Sequence, residues 1–91
     1  MLIEWDEGKA LANRRKHRVN FSEAMTVFND PLALTVPDPD HSSSERRFIT
    51  IGESSAGRVL IISHTCRGAV IRLISARRPT RNERSHYEKA G

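Results

Sequence analysis

Cys66 is the only thiol in this chain of 91 residues, so no internal disulfide can staple it. Beside Arg67-Gly68, at an expected hairpin turn, that thiol reads as filler or an edge position rather than as a nucleophile. Aromatic residues are scarce, and Trp5, Phe21, Phe28 and Phe48 sit among apolar neighbours, which makes them core rather than base-stacking platforms. No apolar run is long enough for a membrane helix or a secretory signal, and the expectation is a soluble cytoplasmic protein with no membrane partner. His17, His41, His64 and His86 are scattered singly, without the paired spacing of metal ligands, so neither a metal nor another cofactor is expected. There are no internal repeats, and the length suits one domain, residues 1–91, burying roughly 60–65 % of its unfolded surface.

What the chain does have is arginine, unevenly placed. Its 15 Lys plus Arg exceed 11 Asp plus Glu by a formal +4. From Arg67 to the end, six arginines and one lysine face two glutamates, whereas Glu4 to Glu7 is acidic. That asymmetry favours a basic face and a polyanionic partner, RNA first among them. The plainer alternative is that these arginines only solvate a C-terminal helix. The run Ile71-Arg72-Leu73-Ile74-Ser75-Ala76-Arg77-Arg78-Pro79-Thr80 puts guanidinium groups, which do not titrate near neutrality, at the end of an apolar strand, where they can hold phosphate bidentately.

Leu2 to Trp5 reads as a short strand, and Asp6 as the N-cap of a helix running to Lys16 or His17, with Leu11 and Ala12 on its buried side. Arg14, Arg15, Lys16 and His17 fall where the helix dipole favours positive charge, which by itself accounts for the cluster. Ser22 is expected to cap a second short helix carrying Ala24, Val27 and Phe28, ended by Asn29-Asp30-Pro31. Leu32 to Val36 reads as a strand and Pro37 to Ser44 as an exposed, flexible loop. Three strands follow, Arg46 to Gly52, Arg58 to Thr65 and Ala69 to Ala76, as an antiparallel meander. Thr80 and Glu83 form a capping-box pair for the last helix. The sum is an α+β domain: a mostly antiparallel sheet, two N-terminal helices on one face, a C-terminal helix, and the other face free for a ligand. A hairpin loop of only Arg67-Gly68 would set Ser63 opposite Arg72 and Thr65 opposite Val70, with His64 on the far face. Arg72, between Ile71 and Leu73, must then meet a carboxylate or face an open groove.

At this point the residues carry a resemblance. Trp5-Asp6, Lys9, Asn13, Lys16-His17, Phe21, Ala24, Phe28, Asp30-Pro31, His41-Ser42, Glu45-Arg46, Ile51-Gly52, Gly57-Arg58, Thr65, Arg72, Ile74-Ser75-Ala76-Arg77 and Glu83-Arg84 together resemble the BrnT family of ribonuclease toxins from bacterial type II toxin–antitoxin systems. The resemblance implies a RelE-like, barnase-like fold and a metal-independent endoribonuclease that inhibits translation. It also implies neutralisation by a cognate BrnA-type antitoxin, with DNA contacted only indirectly through that antitoxin. A monomer and a homodimer are both compatible with the sequence. One departure stands out: the family usually has glycine after Lys-His, whereas this chain has Arg18, with Asn20 two residues on. A left-handed backbone suits Asn20 and would strain Arg18.

Metal-free RNA cleavage turns the ribose 2′-hydroxyl on the adjacent phosphate, so a protein must move a proton, stabilise the phosphorane and assist the leaving oxygen. Arg72 and Arg77 are the candidates for the phosphate, with Arg46, Arg47, Arg58 and Arg78 beside them. His17 and His41, then His64, are candidates for proton transfer, each with an inert surface role as the alternative. Lys16 acts electrostatically or merely compensates the dipole. Ser75 bonds a phosphate or only the backbone at the strand end. Tyr87 stacks on a base or donates to the leaving group, unless it simply packs along the helix from Glu83. Asp30 and Glu45 are expected to pair with arginines. No carboxylate and histidine are spaced so as to demand an enzyme, and a non-catalytic basic module that binds RNA or a protein partner is the alternative function.

Overall fold

In a computed structural model, which describes residues 2–38 and 46–90, the first segment is a short strand, β1 (Leu2–Glu4). Asp6 then accepts the Lys9 N–H at 2.9 Å and opens α1 (Glu7–His17), as its sequence demands of an N-cap. After a turn at Arg18, α2 (Phe21–Ala24) runs directly into a 3-10 turn over Met25–Asn29. Its N-cap position is Asn20 rather than Ser22, and Asn20 is extended. The strands are β2 (Leu34–Pro37), β3 (Arg47–Glu53), β4 (Val59–Arg67) and β5 (Val70–Arg77), and α3 (Arg81–Ala90) closes the chain. Of the expected exposed loop Pro37 to Ser44, Pro37 instead ends β2 and Asp38 is buried, and residues 39–45, with His41 and Glu45, lie outside the described residues.

The sheet order is β1-β5-β4-β3-β2. The last three strands form the expected antiparallel meander, β2 extends it antiparallel to β3, and β1 joins β5 in parallel, so the fold is α+β with a mostly antiparallel mixed sheet. The β4–β5 loop is Gly68-Ala69 rather than Arg67-Gly68, with Gly68 at φ 59°. The pairing shifts accordingly: Thr65 is opposite Arg72, and His64 opposite Leu73. Glycine belongs in the left-handed turn position, which explains the displaced loop. Between His64–Leu73 and Ser63–Ser75 the register slips, and Ile74 is the extra residue of a β-bulge.

The core lies between the sheet and α1, α2 and the 3-10 turn: Val19, Phe21, Ala24 and Val27 meet Leu60, Ile62, Ile71, Leu73 and Ala76. Trp5 packs edge-on against Phe21, at 5.9 Å between ring centroids. In α1 the inward positions are Ala10, Asn13 and His17, whereas Leu11 and Ala12 are exposed. Asn13 prevails because backbone groups there need a partner more than the core needs another methyl. Its amide nitrogen donates to the carbonyls of Val19 (3.0 Å) and Ala76 (2.9 Å), and its oxygen accepts the Ala76 N–H (3.0 Å). Asp30, expected to meet an arginine, instead accepts the N–H groups of Leu32 and Glu53 and the Tyr87 hydroxyl. These bonds hold its carboxyl below the usual range, and the Tyr87 phenol is pushed up to about 12 chiefly by its bond to Asp30. Tyr87 thereby pins α3 to the end of the 3-10 turn.

His64 is 2 % exposed, between Phe28 and Phe48, with Nε2 hydrogen-bonded to the Thr50 hydroxyl at 2.8 Å. Burial pushes its pKa down to about 4. This candidate for proton transfer is therefore a neutral core residue.

Arg18 adopts φ 57°, ψ 36° at the C-cap of α1, donating its N–H to the Arg14 carbonyl at 2.9 Å. The strain expected at this position is present.

Three outcomes follow from these local energetics. Asn13→Ala should cost about 2–4 kcal/mol, because buried backbone groups lose their partners, and should lower the urea midpoint without changing the slope. Arg18→Gly should gain roughly 1 kcal/mol in the same titration, since glycine takes the left-handed cap freely. With His64 depressed, the unfolded ring takes a proton first, so stability should be intact above pH 6.5 and fall as pH drops toward about 4. An NMR titration of the His64 ring with a midpoint near its ordinary value would contradict that burial.

Candidate functional site

The end of β5 is where basic side chains from four parts of the chain converge. Asn13 ties the last turns of α1 to Ala76, and the chain leaves β5 through Arg77 and Arg78 beside it. Arg58, at the entrance to β4, donates from Nε and Nη2 to both oxygens of Glu23 (2.8 and 2.7 Å). Its Nη2 also donates to the Arg18 carbonyl at 3.3 Å. Arg78 lies close enough to contribute to the field on Glu23, whose carboxyl is held below its ordinary range first by the Arg58 bond. Arg77 donates from Nη1 and Nη2 to the two oxygens of Glu83 (2.8 and 2.9 Å). The Glu83 carboxyl is pulled down to about 2, chiefly by that bond. Glu83 also accepts the Thr80 N–H at 2.8 Å and donates its own N–H to the Thr80 hydroxyl, so the capping box and the ion pair share one carboxylate.

Between Arg58 and the start of α3 is a cleft of about 480 Å³ lined by Arg58, Val59, Arg78, Pro79, Thr80, Arg81 and Arg84. A second concavity, of about 510 Å³, lies between Leu11, Arg14, Arg15, Arg18 and Asn20. The hydrogen bond from Arg58 to Arg18 links the two. Lys16 and His17 form the last turn of α1 immediately before Arg18. Among the described residues neither has a hydrogen-bond or ion-pair partner, and His17 is half-buried. An arrangement of several guanidiniums, a few already oriented by carboxylates, is suited to a phosphodiester chain.

The structure places Arg58 and Arg78 in one cleft, Lys16 and His17 next to Arg18 at the end of α1, Arg77 beside the cleft on the opposite face of the sheet, and Arg72 and Arg47 at the far end of that face. The face opposite the N-terminal helices is not wholly free, because α3 lies against it. A groove of about 400 Å³ runs between Leu34, Val36, Ile49, Ile51 and Ile61 and the α3 residues Asn82, Glu83, His86 and Tyr87. The β4–β5 half of the same face is polar. The bulge at Ile74 puts Ser75 opposite Ser63 and Arg77 opposite Ile61, on the face that also carries Arg72 and Thr65. Arg72 meets a carboxylate, Glu4, at 3.3 Å, and both side chains stay substantially exposed. Ser75 lies midway between Arg72 and Arg77. Tyr87 is buried and committed to Asp30, and His41 is outside the described residues.

Two features of the site were not anticipated. The carboxylates Glu23 and Glu83 orient Arg58 and Arg77. The spacing Arg77 to Glu83 across a Pro-Thr cap was available as a signal for one pair, but nothing local links Glu23 to Arg58. Arg14, Arg15, Arg81 and Arg84 line the clefts as well. Among the described residues no three His, Cys, Asp or Glu side chains gather as a metal cage, and no helix is long and apolar enough to cross a membrane.

Comparison with known proteins follows the same lines. Residues 5–83 match the family described as "Ribonuclease toxin, BrnT, of type II toxin-antitoxin system". A solved structure, the 1.1 Å crystal structure of the Brucella abortus ribonuclease toxin BrnT, superposes with a TM-score of 0.69 at 24 % sequence identity, covering 89 % of this chain and 99 % of that one. At that identity the likeness shows the shared fold. No curated protein matched the chain by sequence.

Proposed function

This chain belongs to the BrnT family of ribonuclease toxins of type II toxin–antitoxin systems, with a RelE-like fold, and we propose that it is itself a metal-independent endoribonuclease that inhibits translation. The observation that carries this reading is the cleft at the end of β5, where Arg58 and Arg78 line the wall and Arg77 is fixed beside it by Glu83. A strand of RNA laid there meets positive charge already paired and aimed, so little reorganisation accompanies the rise of charge on the phosphorane.

In this reading Arg77 and Arg78 hold the non-bridging oxygens of the scissile phosphate. Glu83 keeps both oxygens on Arg77 and, pulled down to about 2, is too weak a base to take the 2′-hydroxyl proton near neutrality. Its work is orientation. His17, half-buried in the last turn of α1 with Lys16 before it and next to Arg18, whose carbonyl Arg58 holds, takes the proton-transfer role. His41 stays a proposal for the opposite partner. Arg81 and Arg84, on the first turn of α3, and Arg14, Arg15 and Arg18 extend the positive surface along the strand. A BrnA-type antitoxin presenting an acidic segment to this pole would neutralise the toxin by covering the arginines, and would supply the only link to DNA. Cytoplasmic action follows from an RNA target on the translation machinery.

Purified protein incubated with a defined single-stranded RNA in EDTA should cleave it. Arg77→Ala and Arg78→Ala, checked for folding by circular dichroism, should cleave about 10²–10³-fold more slowly. His17→Ala should remove one limb of the pH–rate profile. Salt-sensitive RNA binding by the wild type with no cleavage would reduce the protein to a basic binding module.

A further inference from the structure

At the other end of the polar half-face three residues stand in one cross-strand row. Register places Arg47 of β3 opposite Thr65 of β4, and Thr65 opposite Arg72 of β5, with Glu4 of β1 beyond. Directly opposed residues carry their side chains on the same face, about 5 Å apart at Cβ. Thr65 is 3 % exposed, yet among the described residues its hydroxyl has no hydrogen-bond partner. A buried hydroxyl without a partner costs stability, and a valine of the same shape would avoid that cost. The hydroxyl sits between two guanidinium-bearing side chains, and the carboxylate on Arg72 is a single long ion pair of 3.3 Å at an exposed position. A donor with nothing to donate to, flanked by two cations, is matched to an anionic oxygen.

We propose that Arg47, Thr65 and Arg72 form a second phosphate site, which holds the RNA strand away from the cleavage point. The proposal rests on the ribonuclease reading above. Arg72 and Arg77 share a face but are separated by two rows of the sheet, roughly 13 Å at 3.3 Å per residue. Arg77 is held on Glu83 and Arg72 on Glu4, so in these placements each guanidinium is set to meet its own phosphate. A strand can reach both, and the residues it would cross between them are Ser63 and Ser75, paired side by side with small hydroxyl side chains that leave its path open. Binding there exchanges the weak Glu4 ion pair for a phosphate and gives the Thr65 hydroxyl its acceptor. The site has a consequence for substrate length: RNA long enough to span both ends of the sheet binds more tightly than RNA that reaches only the β5 end.

The test compares 2′-O-methyl oligouridylates of two and six nucleotides, which bind without being cleaved, by fluorescence anisotropy. Wild type should bind the hexamer at least tenfold more tightly than the dimer. Arg47→Ala/Arg72→Ala should lose that length advantage, and its hexamer binding should show a shallower dependence on salt, by roughly 0.7 in the log–log slope for each phosphate the variant no longer neutralises. Thr65→Val adds a readout that a merely structural residue would not give: melting temperature should rise by several degrees while hexamer affinity falls at least threefold. A stabilised Thr65→Val with undiminished hexamer binding, or a double variant that keeps the length advantage, overturns the second site. Wild-type protein that cleaves RNA but binds both lengths equally also overturns it, and leaves the ribonuclease standing. Wild-type protein that binds neither and cleaves nothing overturns both.

Discussion

The amide of Asn13 is the constraint on which the rest of the molecule depends. Three hydrogen bonds from one buried side chain satisfy backbone groups at two places 57 residues apart in sequence, Val19 and Ala76. An apolar residue at that point would fill the space and leave two carbonyls and an N–H without partners, a larger loss than any gain in packing. Because the amide reaches both segments at once, the basic last turn of α1 cannot drift from the end of β5. That is why Arg18 lies where Arg58 can donate to its carbonyl, and why a left-handed arginine is tolerated at a position glycine would fill with less strain.

The second constraint is the bulge at Ile74. With unbroken alternation, Arg72 and Arg77 would point to opposite faces of the sheet, and Ala76 would leave the core. One extra residue reverses the parity after Leu73, keeps Ala76 buried at 1 %, and returns Ser75 and Arg77 to the face of Arg72. The polar half-face is therefore a product of irregularity in the strand. Beside it, Leu34, Val36, Ile49, Ile51 and Ile61 make the other half apolar, and α3 lies along that half, anchored at its start by Arg77–Glu83 and further along by Tyr87–Asp30.

Features governed by near neighbours were legible in the chain. Asp6 capping α1, the Thr80–Glu83 box, the three strands of the meander and the left-handed strain at Arg18 each depend on residues within a turn or a hairpin, and all are in the structure. Features settled by distant groups were not. Leu11 and Ala12 looked like core and nothing marked Asn13 for it, because hydrophobicity alone cannot announce that a strand end 63 residues away needs an amide. Asp30 looked like a partner for arginine. Three donors from the backbone and Tyr87 reach it first, and short, well-aligned bonds to N–H and O–H groups satisfy a carboxylate as fully as a guanidinium does. The candidate site was legible in residue type, arginines at the end of β5, but not in grouping: Arg72 went to the far end of the face, and His64 into the core.

The carboxylates at the basic pole bear on how such a surface can do chemistry. An arginine without a partner samples many rotamers and must be ordered by the substrate, at a cost in entropy for each one. Glu83 takes two of the five N–H groups of Arg77 and the Arg78 carbonyl a third, Glu23 takes two of Arg58 and the Arg18 carbonyl a third, and each fork keeps two N–H groups with its plane fixed. Both carboxyls are held below their ordinary values, so these pairs persist through the whole physiological range of pH. Charge does not suffer, since Arg78, Arg81 and Arg84 line the cleft with Arg58, and Arg14, Arg15 and Arg18 line the neighbouring concavity. In the proposed reading the labour divides accordingly: paired arginines give geometry, their neighbours give field, and a phosphate at this pole meets both.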